Sequence, residues 1–92
     1  MTADTTGARI RRRRDELGLT LYRLNEMTGF THPAILSYEH GRSLPKAVQA
    51  VVLARALGVT VEWLMEPAVN EWLQANGFDT PEPLTTIYGA GA

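Results

Sequence analysis

The chain has no cysteine, which excludes both a disulfide framework and a thiolate metal site. Long apolar runs are also absent: the longest uninterrupted stretch covers residues 50–54 and is far too short to cross a membrane. The first residues, MTADTTGARIRRRR, contain arginines without an apolar stretch after them, so they lack the pattern of a secretory signal peptide. We therefore expect a cytoplasmic protein that has no membrane contact.

Basic residues are scarce in the second half of the chain. Residues 1–46 hold eight Lys and Arg against five Asp and Glu, whereas residues 47–92 hold one against five. The halves therefore carry +3 and −4, which the net charge of −1 conceals. A surface that binds the phosphates of a nucleic acid must lie in the first half. The alternative is an arginine-rich helix surface that contacts only water.

The residue patterns of enzymes and metal sites are missing as well. His32 and His40 are the two histidines of the chain, and they stand about two turns, or ~12 Å, apart on one predicted helix without a further ligand. The chain contains neither a phosphate-binding glycine loop nor a nucleophile with a matching base. We therefore expect no catalysis, no metal and no cofactor.

What the chain does contain is a series of short amphipathic helices. Its 92 residues suffice for one domain with a modest core, and strand-like alternation is almost absent. The spacing of apolar residues predicts helices over residues 6–17, 21–28, 32–40, 45–57 and 61–65, and a short sixth helix over about 68–76. Met27 and Val48 are expected on the inner faces of the second and fourth helices. Residues 79–92, rich in Pro, Gly and Thr, predict an extended tail.

The residues that flank these segments are those that begin and end helices. Thr20, Thr31 and Thr60 are predicted N-caps, whose hydroxyls accept hydrogen bonds from amides of the first turn. Glycines follow the first four segments. Pro33 and Pro45 fall in first turns, where a missing amide proton breaks no helical hydrogen bond.

Residues 28–31, Thr-Gly-Phe-Thr, are a short glycine-containing turn between two helices, as in a helix-turn-helix. Around this turn, residues 10–65 resemble the Cro/repressor-type family, also called the XRE family, in one ungapped register. The matching residues are Ile10, Arg14, Gly18-Leu19-Thr20, Leu24, Gly29, Ile35, Glu39, Gly41-Arg42, Pro45 and the ALGVT of residues 56–60. The resemblance implies an all-α, compact five-helix, lambda repressor-like domain over residues 1–66, followed by an extension over residues 67–92.

The resemblance also implies roles for individual residues. Arg14 and Glu39 stand where the family has an ion pair between the first and third helices, and loss of one partner of a buried pair costs ~3–5 kcal/mol. The positions that would face DNA bases are His32, Pro33, Leu36 and Ser37. Those that would contact the DNA backbone are Tyr22, Arg23, His40, Arg42, Ser43 and Lys46, with Arg12 as a further candidate. For each of them the alternative is an ordinary surface residue.

Three positions depart from the family pattern. Leu21 replaces a glutamine that bonds a phosphate and braces the third helix, which leucine cannot do. Asn25 replaces a small alanine packed between the second and third helices, and a half-buried amide without partners costs roughly 1–3 kcal/mol. Arg13 replaces a leucine, and its aliphatic stem would cover the edge of the core while its charged head reaches water.

The function that the resemblance implies is that of a sequence-specific, DNA-binding transcriptional regulator. It would act as a homodimeric repressor on a pseudo-palindromic operator, with half-sites ~34 Å apart. Val69, Trp72 and Leu73 are candidates for the dimer contact. One alternative is an antitoxin or a phage or plasmid regulator whose residues 67–92, including Leu84, Ile87 and Tyr88, bind a partner protein. Another is a helix-turn-helix scaffold that has lost DNA binding and serves protein interaction.

Overall fold

The computed structural model describes residues 4–78, which form five α-helices and no strand. The helices are α1 (Thr6–Glu16), α2 (Leu21–Thr28), α3 (His32–Glu39), α4 (Ala47–Leu57) and α5 (Val61–Ala75). The all-α, five-helix prediction is confirmed for this part of the chain. No helix between residues 4 and 78 combines the length and the apolar character needed to span a membrane. The predicted tail over residues 79–92 lies outside the described residues.

Threonine hydroxyls begin most of these helices. The side chains of Thr5, Thr20, Thr31 and Thr60 each accept a hydrogen bond from the amide three residues later, at 3.0–3.2 Å. Each bond satisfies one of the amides that the first turn of a helix leaves without a partner. The N-caps predicted before α2, α3 and α5 are therefore confirmed, and Thr5 provides the same contact for α1.

The start of α4 differs from the prediction. The helix begins at Ala47 instead of residue 45, because Lys46 has extended dihedral angles of φ −72° and ψ 170° and acts as the N-cap. Pro45 precedes the helix and is buried. A proline followed by an apolar run is compatible with either start, so the local sequence did not determine the first residue of the helix.

The predicted separate sixth helix is wrong: residues 61–75 form one continuous helix, with Pro67 inside it. Proline lacks the amide proton that would bond the carbonyl oxygen of Trp63, four residues earlier, and this loss normally ends or kinks a helix. Here Arg9 supplies the missing donor, because its Nη1 lies 2.6 Å from the Trp63 carbonyl oxygen. Consequently α5 crosses the division predicted between residues 1–66 and 67–92 without interruption, and that functional division stays a prediction.

Arg9 also joins the start of α1 to the middle of α5. Its Nε and Nη2 donate to the two carboxylate oxygens of Asp4 at 2.9 and 2.6 Å, and Nη2 lies 3.3 Å from Glu66. Its guanidinium stands over the Trp63 ring, 4.9 Å from the ring centroid, and the Arg12 guanidinium lies at 5.7 Å. Arg12, which is exposed, therefore also contacts α5, and its suggested contact with a DNA backbone stays a prediction.

All five helices contribute to one core. Its largest fully buried side chains are Ile10, Leu24, Ile35, Leu53, Leu57 and Leu64. Two predicted inner residues lie outside it, because Met27 is 41% exposed and Val48 is 73% exposed. In α4 the buried positions are 50, 53, 54 and 57, whose spacing defines one helix face. Val48 lies outside that face. The prediction was wrong because α4 has apolar residues on several sides, so residue type alone does not identify its buried side.

The first turn of α1 packs directly on the last turn of α3. A Cβ atom at Gly7 would overlap the carbonyl oxygens of Tyr38 and Glu39. Gly7 is buried, and the absence of a side chain allows the two backbones to touch. This close crossing places the end of α3 against α1.

We expect Gly7→Ala to destabilise the fold by roughly 1–3 kcal/mol, because the added methyl group overlaps two backbone oxygens of α3, so that the helices must move apart. Helix propensity alone predicts the opposite, a gain of about 1 kcal/mol for alanine over glycine. The midpoint of urea unfolding measures the difference. A more stable variant would show that the crossing has room to adjust.

We also expect the stability contributed by Asp4 to depend on pH. The hydrogen bonds donated by Arg9 hold the pKa of the Asp4 carboxyl below its ordinary value. The stabilisation is therefore fully present above about pH 4 and is lost as the pH falls further, through the lowered folded-state pKa. Asp4→Asn should be less stable than the parent at pH 7, and the difference should shrink below about pH 4.

The matched control is Glu26→Gln, which removes an exposed carboxylate 3.6 Å from Arg23. Urea midpoints of the parent and both variants, measured between pH 7 and pH 2, provide the comparison. A difference between Asp4→Asn and the parent that stays constant over this range would contradict the pKa assignment.

Candidate nucleic-acid interface

The turn between α2 and α3 is held by side chains of α2. Gly29 ends α2 with a left-handed φ of 78°. The Thr28 hydroxyl donates to the carbonyl oxygen of Leu24 at 2.8 Å and accepts from the Phe30 amide at 3.1 Å. Asn25 Nδ2 donates to the Phe30 carbonyl oxygen at 2.6 Å. The amide that departs from the family pattern at position 25 thus has its partner, and it fixes the turn that sets the angle of α3.

The end of α3 is tied to α1 by a buried ion pair. Arg14 donates to Glu39 through Nε at 2.7 Å and Nη2 at 3.1 Å, and its Nη1 donates to the Leu19 carbonyl oxygen at 3.0 Å. The side chains of Arg14 and Glu39 are 13% and 1% exposed. The hydrogen bond to Glu39 raises the pKa of Arg14 above its ordinary value. The structure therefore contains the predicted ion pair, and both residues belong to the scaffold.

The exposed surface of α2 and the start of α3 brings together three predicted site residues. Tyr22 is 63% exposed, and its ring meets the His32 ring edge-on, with centroids 6.5 Å apart. His32 and Pro33 are both exposed in the first turn of α3. Tyr22 and His32 thus form an aromatic surface with hydrogen-bonding groups beside exposed Pro33, where α3 begins.

Two further predicted residues, Leu36 and Ser37, are half-buried on α3. The Ser37 hydroxyl lies 2.8 Å from the Ser43 hydroxyl, and the Arg42 amide donates to the Ser37 carbonyl oxygen at 2.9 Å. Residues 40–43 therefore fold back on the last turn of α3. Ser37 and Ser43, which the sequence suggested as separate DNA contacts, form one hydrogen-bonded pair.

Two cations near the end of α3 differ from most arginines of α1 because they have no carboxylate partner among residues 4–78. Arg42 and Lys46 are exposed, and between residues 4 and 78 no carboxylate lies within 4.0 Å of either. Exposed His40 lies beside Arg42, and the Arg23 side chain, 60% exposed, stands 3.6 Å from Glu26 on α2.

Most arginines of α1, in contrast, have partners within the domain. Arg13, for example, donates through Nε to the Leu57 carbonyl oxygen at 2.8 Å, at the end of α4. Its head thus bonds the backbone instead of only reaching water. The run of arginines on α1 is therefore largely structural, whereas Arg42 and Lys46, in the segment after α3, are exposed cations without a carboxylate partner among residues 4–78.

The chain is similar to known proteins over this same region. A family model described as helix-turn-helix matches residues 10–64. The chain belongs to the helix-turn-helix family. An uncharacterised HTH-type transcriptional regulator of Methanothermobacter thermautotrophicus is 47% identical over 49 residues, which cover 53% of this chain and 71% of that protein.

Solved structures of similar proteins extend the comparison to most of the domain. The P22 c2 repressor, solved in complex with a synthetic operator, is 28% identical, with a TM-score of 0.67 over 71% of this chain and 98% of the repressor. SinR, a master regulator for biofilm formation solved in complex with DNA, is 28% identical, with a TM-score of 0.61 over 65% of this chain and 97% of that chain.

This helix-turn-helix domain also exposes an apolar strip on the second half of α5. Val69 is 51% exposed and Trp72 is 59% exposed, while Leu73 is half-buried. The Phe78 ring stacks on Trp72 with centroids 6.1 Å apart and planes 5° apart. Leu44, 56% exposed, lines a groove of about 460 Å³ between this strip, the start of α1 and the loop after α3.

The sequence identified part of this strip. Val69, Trp72 and Leu73 were predicted from their helical spacing, whereas Leu44 and Phe78 were missed because neither belongs to an apolar repeat. Arg9 was missed as well, although a charged residue within the apolar spacing of α1 is a signal for a buried ion pair.

Proposed function

We propose that this domain is a sequence-specific transcriptional regulator that binds double-stranded DNA with α3 in the major groove. The observation that carries the proposal is the contrast between the two sides of α3. Its inner side is fixed to α1 through Gly7 and the Arg14–Glu39 pair. Its outer side begins with exposed His32 and Pro33 and continues with half-buried Leu36 and Ser37. The exposed cations Arg42 and Lys46, which have no nearby carboxylate among residues 4–78, follow its end. A helix that is fixed on its inner side, presents hydrogen-bonding groups on its outer side and has cations beside it meets the requirements of groove recognition.

Within this proposal the first turn and outer face of α3 read the bases. His32 and Ser37 supply hydrogen-bonding groups, while Pro33 and the exposed part of Leu36 supply apolar contacts for a thymine methyl group. The residues that contact phosphates and sugars are Tyr22, Arg23, His40, Arg42, Ser43 and Lys46. Backbone contacts of this kind fix the register of the helix without reading sequence. The P22 c2 repressor and SinR, which are similar to this chain, were each solved in complex with DNA, and this supports DNA as the ligand.

The charge of α5 favours the same orientation. Its acidic residues are Glu62, Glu66 and Glu71, and it contains no Lys or Arg. A negative helix is repelled by the phosphate backbone, so DNA approaches the domain at α2 and α3. The repulsion also weakens binding in other orientations.

We further propose that the regulator is a homodimeric repressor whose copies meet through the apolar strip of Val69, Trp72 and Leu73. One domain makes few base contacts, and pairing two of them across half-sites ~34 Å apart multiplies affinity and specificity. The exposure of Trp72 and Val69 supports the strip as a contact surface. The second candidate for this strip is a different protein bound through residues 67–92, which the same exposed apolar residues support.

Arg42→Ala should weaken binding to every DNA sequence, because it removes a phosphate contact and no base contact. The slope of log affinity against log salt should fall by about one. Fluorescence anisotropy with oligonucleotides from a selected pool, measured across salt concentrations, tests this expectation. Absence of salt-dependent, specific binding by the parent chain would instead support a scaffold that serves protein interaction.

The matched control is Arg11→Ala, which removes the same charge from an exposed arginine of α1. Its salt slope should equal that of the parent. Equal losses in both variants would show that net charge, and not the position of Arg42, accounts for the effect.

Trp72→Ala should shift the chain from dimer towards monomer, because it removes the largest exposed side chain of the strip. Sedimentation equilibrium over a range of concentrations measures the association constant, and truncation of a central aromatic contact lowers it at least roughly tenfold. Met27→Ala, an exposed apolar residue of α2, is the control. A parent chain that stays monomeric at all concentrations would favour the partner-protein alternative.

A further inference from the structure

The hydroxyls of Ser37 and Ser43 share a single hydrogen bond. Their oxygens lie 2.8 Å apart, and either can be the donor. A serine hydroxyl carries one proton and two lone pairs, so the pair holds two protons, one of which lies between the oxygens. The pair therefore offers one free proton to a third group. Whichever serine donates to its neighbour is left with acceptor capacity alone.

A bound phosphate group would determine which of the two serines donates the hydrogen bond to the other. This step rests on the proposed function, in which residues 40–46 lie along the DNA backbone and the outer face of α3 lies over the bases. A phosphate oxygen only accepts hydrogen bonds, so a hydroxyl beside it must donate. Ser43 adjoins Arg42, whose cation attracts phosphate, and the bond from the Arg42 amide to the Ser37 carbonyl oxygen fixes this loop on α3. With phosphate bound, Ser43 donates to it and Ser37 donates to Ser43.

We propose that Ser37 is a specificity-determining residue that accepts a hydrogen bond from the amino group of adenine or cytosine, and that Ser43 imposes this polarity. In the major groove, adenine N6 and cytosine N4 are donors, whereas guanine O6 and N7 and thymine O4 are acceptors. An isolated serine serves either kind of base because its hydroxyl rotates. Ser37, with its proton directed to Ser43, matches the amino bases and leaves a keto base without a donor.

The test is a four-base comparison on a selected operator, at the position where Ser37→Ala changes base preference. Anisotropy titrations of the full chain against the four oligonucleotides give the ratio of affinities for amino and keto bases. For the parent chain we expect adenine or cytosine to be favoured by roughly two- to tenfold, the range of one net hydrogen bond.

Ser43→Ala frees the Ser37 proton, so this preference should collapse or reverse towards guanine and thymine. Ser43→Thr keeps the hydroxyl and should retain the parent ratio. Arg42→Ala should lower all four affinities while leaving the ratio unchanged, which separates loss of a phosphate contact from loss of polarity. Far-UV circular dichroism verifies that each variant is folded.

The outcomes distinguish the inference from the function on which it rests. If the parent chain binds no sequence from the pool specifically, the proposed function fails and the inference fails with it. If the parent binds specifically but Ser43→Ala weakens all four oligonucleotides equally, the function stands and the inference is overturned. A parent preference for guanine or thymine at the Ser37 position overturns it as well.

Discussion

The buried pair of Arg14 and Glu39 is the interaction on which the position of α3 depends. Two charges leave water to form it, and the cost is offset because Arg14 bonds both Glu39 oxygens and the Leu19 carbonyl oxygen. Such a pair tolerates little change in geometry, since a displaced partner leaves a buried charge unmatched. Together with the bare backbone contact at Gly7, it holds the last turn of α3 against α1. The outer face of α3 inherits its orientation from this attachment.

The helices of this domain could be predicted because their ends are local. A threonine that caps a first turn, or a glycine that ends a helix, acts within three or four residues, and these signals located α2 and α3 almost to the residue. Pro67 shows where local reasoning stops. Within its own segment proline ends a helix, yet Arg9 donates to the freed Trp63 carbonyl oxygen from a position 54 residues before Trp63. Nothing near Pro67 in the sequence reveals that donor.

The sequence predicted which residues belong to the candidate site better than it predicted the contacts that they make with each other. The family pattern placed His32, Pro33 and Ser37 on the outer side of α3, and the structure places the first two at its exposed start. The family pattern did not reveal the hydrogen bond between Ser37 and Ser43, because that bond depends on how residues 40–43 fold back on α3. The arginine run of α1 carries the positive charge expected of a DNA-binding surface. A count of charges, however, cannot distinguish an arginine that bonds within the domain, such as Arg13, from one that is free to bind phosphate.

Because Arg9 of α1 replaces a hydrogen bond that Pro67 removes from α5, the continuity of α5 beyond Pro67 depends on a tertiary contact. A bond between residues 54 positions apart forms only after the intervening chain has closed, so its entropic cost must be met first. In the folded domain, the Trp63 carbonyl oxygen that Pro67 leaves without a helical donor is thus satisfied through the packing of α1 on α5. The position of exposed Val69 and Trp72 relative to the rest of the domain therefore depends on a contact with α1 and not on the sequence of α5 alone.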